Sequence, residues 1–188
     1  MDCRAVNCAV SSKRVSFIRG VKGPMERTLQ ILNRLERDGV LSRYAIGGAM
    51  AAMFYVEPVS TFDLDVFVVL PQRGELLTLA PLYETLRAWG YTEDGECVLI
   101  EGVPVQFLPA YNPLLEEALE TARETLYENT PTRVMKVEHL IAICLQTGRA
   151  KDRDRVRLFC EEAPIDRSAL EAILKRHGLD ERWRQWTH

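Results

Sequence analysis

The sequence predicts an α+β fold, in which a small mixed β-sheet with helices is followed by a helical C-terminal region. Two observations support this prediction. In the first half of the chain, short β-branched and aromatic runs alternate with amphipathic helical segments, and after Pro109 the apolar residues recur at helical spacing throughout. The chain has 188 residues, 47% of them hydrophobic and 27% charged, which is enough apolar material for a folded core.

The first elements alternate between helix and strand. Apolar residues recur at helical spacing from Met25 to Leu35, after a proline suited to a first turn and before Gly39, and this pattern predicts the first helix. Residues 44–46 are a short apolar run typical of a strand. Residues 49–55, which are rich in Ala and Met, predict a short helix that stops before the next proline.

The strongest strand signal lies at residues 62–70, which are β-branched and aromatic and end before Pro71. Residues 76–89 then predict a helix, because a glycine follows their apolar repeat. Residues 97–100 and 103–108 predict a hairpin about a Glu-Gly turn. The later helical segments are predicted at residues 114–122, 137–145, 153–160 and 168–177.

The predicted organisation has three parts. Residues 1–23 contain five basic side chains and one acidic side chain without apolar periodicity, so we expect a flexible basic tail. Residues 24–130 contain the mixed sheet and residues 131–188 the helical region, with a boundary at the turn-forming Asn-Thr-Pro of residues 129–131. A single continuous unit with a helical extension fits the same pattern.

Composition and charge exclude several classes of protein. Lys and Arg total 24 and Asp and Glu total 27, a formal net charge of -3, which argues against a generally basic protein that coats nucleic acid. No apolar run approaches the length of a membrane span, so we expect no membrane partner. The five cysteines are scattered without C-x-x-C spacing, and we therefore expect a reducing, cytoplasmic location.

A pair of glycines and a pair of aspartates are the candidate functional motifs of the sequence. Gly47 and Gly48 lie between the predicted strand and a helix start, where glycines allow close approach to a ligand and backbone N–H groups suit a phosphate. Asp63 and Asp65 are two residues apart on the next strand, so their carboxylates point to the same face. Two such charges repel unless a cation lies between them, and Mg²⁺ commonly uses one or two carboxylates. The pattern indicates a site for a metal and a nucleotide.

Together these motifs resemble a known family. Gly47-Gly48 followed by D-L-D-V at residues 63–66 is similar to the signature of the nucleotidyltransferase superfamily, which has the DNA polymerase β-like fold. A second segment, residues 137–155, resembles the helix and G-R-x-K-D turn of bacterial AbiEii-like and related minimal nucleotidyltransferases. The resemblance implies that Gly47 and Gly48 hold nucleotide phosphates and that Asp63 and Asp65 bind Mg²⁺ or Mn²⁺, with a nucleoside triphosphate as substrate.

The implied activity is transfer of a nucleoside monophosphate from the triphosphate to a hydroxyl group of an RNA, a protein or a small molecule. The family's third carboxylate is expected on residues 103–108, where Gln106 stands, and a neutral amide cannot act as a base. Glu101 and Asp152 are therefore the candidates for that role. Lys151 is the candidate for contact with nucleotide phosphates, and Arg149 for contact with phosphate or RNA.

Two other interpretations fit the sequence. The chain can be a catalytically degenerate member that binds nucleotide or serves as a toxin–antitoxin partner module, with tRNA or a cognate antitoxin protein as its partner. The other interpretation is a helical interaction module, in which the D-x-D pair of residues 63–65 is coincidental. Without the family resemblance, the charge run at residues 149–157 is interpreted as a solvated helix start with weak ion pairs. The sequence leaves open whether the chain forms a homodimer.

Overall fold

The computed structural model describes residues 23–56, 63–71 and 78–187. The seven strands within these ranges are β1 (Arg43–Ile46), β2 (Leu64–Val69), β3 (Thr92–Asp94), β4 (Cys97–Ile100), β5 (Val103–Pro109), β6 (Arg123–Tyr127) and β7 (Thr130–Val134). The helices are α1 (Pro24–Arg37), α2 (Gly48–Ala52), α3 (Ala80–Ala88), α4 (Pro113–Glu120), α5 (Val137–Thr147), α6 (Ala150–Glu162), α7 (Arg167–Arg176) and α8 (Asp180–Thr187).

All seven strands form one mixed sheet, in the order β3-β4-β5-β2-β1-β7-β6. The central pair β1–β2 is antiparallel, whereas β2 pairs with β5 and β1 with β7 in parallel. The outer strands are joined by antiparallel pairs. The α+β fold with a mixed sheet, predicted from the alternation of elements, is confirmed.

The core lies on both faces of the sheet. On one face, Leu29, Leu32 and Leu35 of α1 are fully buried, because their spacing places them on one side of the helix. Leu64 of β2 faces this helix. Phe67 points to the opposite face and meets residues of α4 and α5, since successive side chains of a strand alternate in direction. Asp65 lies on the same face of the sheet as Phe67, which is called the second face below.

The chain also contains a hairpin that the sequence does not predict. Only helices were expected after Pro109, and this expectation is wrong, because β6 and β7 form an antiparallel hairpin that joins the sheet beside β1. In β7, Thr130, Thr132 and Val134 alternate as buried positions. Two of these three residues are polar, so the alternation leaves no trace in hydrophobicity. The three exposed residues of β3 were missed for the same reason.

The predicted helical region consists of α5 to α8. Helix α5 packs against α6 and α7, and α7 packs against α8. Residues 129–131, where the sequence suggests a boundary, form the end of the β6–β7 turn and the start of β7. The predicted tail lies almost wholly outside the described residues, as do residue 62 of the predicted strand and residues 76–77 of the predicted third helix. Within the described ranges, no helix combines the length and the apolar character that crossing a bilayer requires.

Candidate functional site

A cleft of about 890 Å³ lies between the second face of the sheet and the helices α5 and α6. Its floor is formed by the start of β2 and the middle of β5. One wall is charged and comes from α6, and the other is largely apolar and comes from α4 and α5. The residues of the charged part are Asp63, Asp65, Arg149, Lys151, Asp152, Asp154, Arg155, Arg157 and Glu161.

The glycine turn brings α2 into contact with β2. Gly48 has a φ of +58°, and a Cβ atom built there would lie 1.6 Å from Oδ2 of Asp65. A Cβ atom on Gly47 would lie 2.4 Å from the ring of Phe67, and the Gly47 amide donates to the Asp65 carbonyl at 2.9 Å. No side chain fits at either position. The two glycines are therefore required for the close approach of the turn to the strand.

The two aspartates line the cleft from the same face of the sheet. Asp63 is exposed, whereas Asp65 is half-buried and accepts a hydrogen bond from the backbone N–H of Ala49. Burial raises the pKa of Asp65 above its usual range, and the charge of Asp63 raises it further. The Arg155 guanidinium opposes this shift more strongly than the Lys151 ammonium does. The Asp65 carboxylate therefore lies among opposing charges.

The donor set suits a divalent cation that takes most of its ligands from elsewhere. The described ranges contain no group of three or more His, Cys, Asp or Glu side chains arranged to hold a metal. Mg²⁺ needs no such cage, because it keeps several waters and is often bound through one or two carboxylates and substrate phosphates. Asp63, immediately before β2, and Asp65, on β2, line the same cleft and fit that kind of site.

Gln106 is the neighbour of Asp65 across the sheet. The two residues are in register in the parallel pair of β2 and β5, and Gln106 lines the cleft. Its Nε2 donates to Oε2 of Glu96 at 3.0 Å. The structure thus places an uncharged amide beside the carboxylate pair, at the position where the resemblance implies a third acid.

The start of α6 brings three candidate residues to the cleft. Gly148 ends α5 in a left-handed conformation with φ of 76°, and the chain then turns into α6. Arg149 and Lys151 line the cleft at this turn. Asp152 is fully buried and accepts from the backbone N of Arg149 at 3.2 Å, from its Nε at 2.8 Å and from its Nη2 at 3.1 Å. Asp152 therefore holds the first turn of α6 and orients Arg149.

Glu101 lies away from this group. It occupies the β4–β5 turn, with a φ of 51°, and accepts from Nε of Arg27 at 2.6 Å and from the hydroxyl of Tyr91 at 3.0 Å. Those hydrogen bonds, led by the one from Arg27, lower its pKa. It precedes Gln106 by five positions along the chain, which in extended backbone corresponds to roughly 16 Å. The structure brings the other candidate residues together at the cleft but does not bring Glu101 there.

Several cleft residues are absent from the sequence candidates, and Arg155 and Tyr111 are two of them. Arg155 is one helical turn after Lys151, so the spacing on α6 was the available signal for it. Its side chain is 15% exposed, far less than the 55% of Arg149. Tyr111 lines the opposite wall and is 74% exposed. Nothing in the local sequence marks this tyrosine, because its position depends on how α4 meets the sheet.

Comparison with solved structures finds the same fold in nucleotidyltransferases. A solution structure of the antibiotic-resistance factor ANT(2'')-Ia has a TM-score of 0.50 and 16% identity, over 87% of this chain and 95% of that chain. A crystal structure of ANT(2'')-Ia in complex with adenylyl-2''-tobramycin has a TM-score of 0.50 and 17% identity, over 85% and 96%. A crystal structure of an antigenic nucleotidyltransferase-like protein from Paracoccidioides brasiliensis has a TM-score of 0.53 and 14% identity, over 86% and 92%.

Sequence comparisons add nothing to this result. No family model matches the chain, and no curated protein matches it significantly. The predicted nucleotidyltransferase fold is confirmed by the solved structures. The finer resemblance of residues 137–155 to AbiEii-like proteins stays a prediction.

Proposed function

Because the chain has the nucleotidyltransferase fold, we propose that it transfers a nucleoside monophosphate from a nucleoside triphosphate to a hydroxyl group, with Mg²⁺ or Mn²⁺ as cofactor. One observation carries the proposal: Asp63 and Asp65 line the same cleft as Lys151. Carboxylates for a cation and an ammonium group for phosphate are the two requirements for handling a triphosphate.

The two aspartates, the glycine turn and Lys151 have separate roles in this proposal. Asp63 and Asp65 hold the metal, which when bound neutralises part of the triphosphate charge. The turn at Gly47 and Gly48 brings backbone close to Asp65 without an intervening side chain, so in this proposal its N–H groups face the phosphates that the metal binds. Lys151 offsets the negative charge that develops as the acceptor oxygen attacks the α-phosphorus and the bond to the pyrophosphate breaks.

The proton of the acceptor hydroxyl needs a base, and the sequence offers Asp152 and Glu101. Asp152 is the one that lines the cleft. It accepts three hydrogen bonds from Arg149, so its main task in the proposal is to orient that arginine toward the phosphates. Glu101 is bound to Arg27 and Tyr91 on the far side of the β4–β5 hairpin and takes no part in the chemistry.

We propose a small hydroxylated molecule as the acceptor. The cleft of about 890 Å³ is near the upper end of the range for small-molecule sites, so a nucleotide does not exhaust it. A structure with the same fold was solved with adenylyl-2''-tobramycin, a small molecule that carries an adenylyl group. The net charge of -3 gives RNA no general electrostatic attraction. Transfer to tRNA or to a protein is the outcome that would contradict this part of the proposal.

Nucleotide binding tests the metal site. We expect titration calorimetry to show binding of at least one of the four triphosphates with Mg²⁺, and loss of that binding in Asp63→Asn/Asp65→Asn. The matched control is Glu171→Gln, an exposed acid on α7 outside the cleft, which should bind like the wild type. Binding that ignores both the metal and the two aspartates would refute the proposal.

A second function is favoured by Gln106. A member that lacks a third acid beside Asp65 can bind nucleotide without transferring it and can act as a partner module, for example with an antitoxin protein. Pyrophosphate release in the presence of small hydroxylated acceptors, tRNA and protein separates the two functions. If the wild type binds nucleotide and releases no pyrophosphate, whereas Gln106→Asp releases it, the degenerate function is supported.

A further inference from the structure

Arg155 has the least exposed side chain among the arginine and lysine residues that line the cleft. Its side chain is 15% exposed and comes from the face of α6 that also carries Lys151 and Leu158, at spacings of four and three residues. Lys151 is itself exposed, as is Arg153, which points away from the cleft on the same helix. An enclosed guanidinium is costly to desolvate, so its charge needs a partner.

Within the helical region Arg155 forms one long ion pair, with Asp152. Its Nη1 is 3.9 Å from Oδ1 of Asp152, beyond hydrogen-bonding distance, and that carboxylate already accepts three hydrogen bonds from Arg149. Arg155 also interacts with Cys144, but burial raises the pKa of this thiol to about 11, so it is neutral near pH 7. Arg155 and Asp65 line the same cleft from α6 and β2, and the positive charge of Arg155 opposes the rise in the pKa of Asp65 that burial causes.

We propose that Arg155 is a second phosphate-binding residue that exchanges partners: it faces the Asp65 carboxylate in the free protein and pairs with the nucleotide phosphates when metal and nucleotide bind together. This inference rests on the proposed function. A guanidinium presents several N–H donors in a planar fork and can bind two phosphate oxygens at once, which the ammonium of Lys151 cannot do with the same geometry.

The exchange predicts two effects of opposite sign. Before nucleotide binds, the positive charge of Arg155 near Asp65 repels a divalent cation, so it weakens binding of the metal alone. Once phosphates are present, the same charge attracts them and strengthens binding of the metal–nucleotide complex. A residue that only supported the fold of α6 would weaken both when removed.

The test compares three variants with the wild type, using Mn²⁺ alone and Mn²⁺ with ATP, GTP, CTP or UTP. Electron paramagnetic resonance measures free Mn²⁺, and titration calorimetry measures the nucleotide complex. In Arg155→Gln we expect Mn²⁺ alone to bind about threefold more tightly. The Mn²⁺–nucleotide complex should bind about tenfold more weakly. Arg155→Lys should restore part of both effects, and Arg153→Gln, the matched control outside the cleft, should change neither by more than about twofold.

Three different results would overturn the inference, and each can be distinguished from the other two. Equal weakening of both bindings in Arg155→Gln gives Arg155 a structural role, and unchanged bindings give it none. Thermal unfolding of each variant shows whether the fold is retained, and Arg155→Lys carries the test if Arg155→Gln unfolds. If the wild type itself binds no Mn²⁺–nucleotide complex, the proposed function fails together with this inference.

Discussion

Gly48 and Asp65 approach each other so closely that a Cβ atom on Gly48 would lie 1.6 Å from Oδ2 of Asp65. The contact joins the glycine turn to the carboxylate strand, which are the two motifs of the candidate site. A real side chain could exist there only if the turn or the carboxylate moved. The two motifs therefore form one unit of structure.

Substitution of Gly48 tests this unit. We expect Gly48→Ala to lower the free energy of unfolding and to abolish metal-dependent nucleotide binding, because Asp65 must move. Gly39→Ala is the control, since Gly39 also has a positive φ, of +72°, but nothing lies within 4 Å of its Cβ position. Gly39→Ala should cost only about 1–2 kcal/mol in urea unfolding, the price of the left-handed conformation. Equal effects of the two substitutions on stability and binding would contradict the role of the close contact.

The buried carboxylate of Asp152 gives the second prediction. Asp152→Ala leaves Arg149 and the first turn of α6 without their acceptor, and we expect the free energy of unfolding to fall by about 1–3 kcal/mol. Asp154→Ala, an exposed cleft acid on the same helix, should change stability by less than about 0.5 kcal/mol. Chemical denaturation of both variants measures these changes. The prediction would be refuted if Asp154→Ala were destabilised and Asp152→Ala were as stable as the wild type.

Glu117 gives a prediction about pH. Burial alone would raise its pKa, but hydrogen bonds from Arg176, His177 and His139 outweigh burial and hold the pKa at about 2. A carboxyl whose pKa is lower in the folded state than in the unfolded state stabilises the fold. This stabilisation is complete when the pH is above the pKa of the unfolded state, near 4.5, and is lost as the pH falls toward 2. Glu117→Gln should therefore cost about 3 kcal/mol at pH 7 and little near pH 2.

Unfolding measured from pH 7 down to pH 2 checks this dependence. Glu116→Gln, at an exposed neighbouring position of α4, should reduce stability by no more than about 0.5 kcal/mol at any pH. Burial lowers the pKa of His139 in the folded state, so its contribution to stability also decreases as the pH falls below its unfolded value of about 6.5. Glu117 raises the pKa of His139, so the difference in stability between the wild type and Glu117→Gln reports on Glu117 and His139 together. A pH-independent difference between them would contradict the prediction.

The unexpected hairpin gives the fourth prediction. The hydroxyl of Tyr44 on β1 donates to Oδ1 of Asn33 at 2.7 Å and lies 3.3 Å from the hydroxyl of Thr132 on β7. Because these groups are buried, Tyr44→Phe leaves polar atoms unpaired and should cost about 1–3 kcal/mol of unfolding free energy. Tyr111→Phe, at an exposed tyrosine, should leave stability unchanged in the same thermal unfolding experiment. If Tyr44→Phe left the free energy of unfolding unchanged, the side-chain contact between β1 and β7 would not stabilise the sheet.

The sequence by itself determined the features whose signal is local. Asp65 lies on β2 and Asp63 immediately before it, and both line the cleft, because side chains two residues apart in extended backbone point the same way. The glycine turn, the hairpin of β4 and β5 and the repeat of α1 are likewise visible in short windows, because backbone preference and periodicity act over a few residues.

Only the tertiary structure decided what depends on distant segments. The register of β2 and β5 places Gln106 beside Asp65, and the packing of α6 brings Arg155 to the same cleft, across 90 positions of sequence from Asp65. Glu101, which is near Gln106 in sequence, lies away from the cleft because an extended strand carries it there. The distances between such groups follow from strand order and helix packing, which no local pattern encodes. The direction of a side chain on its own helix or strand, in contrast, follows from backbone geometry within a few residues.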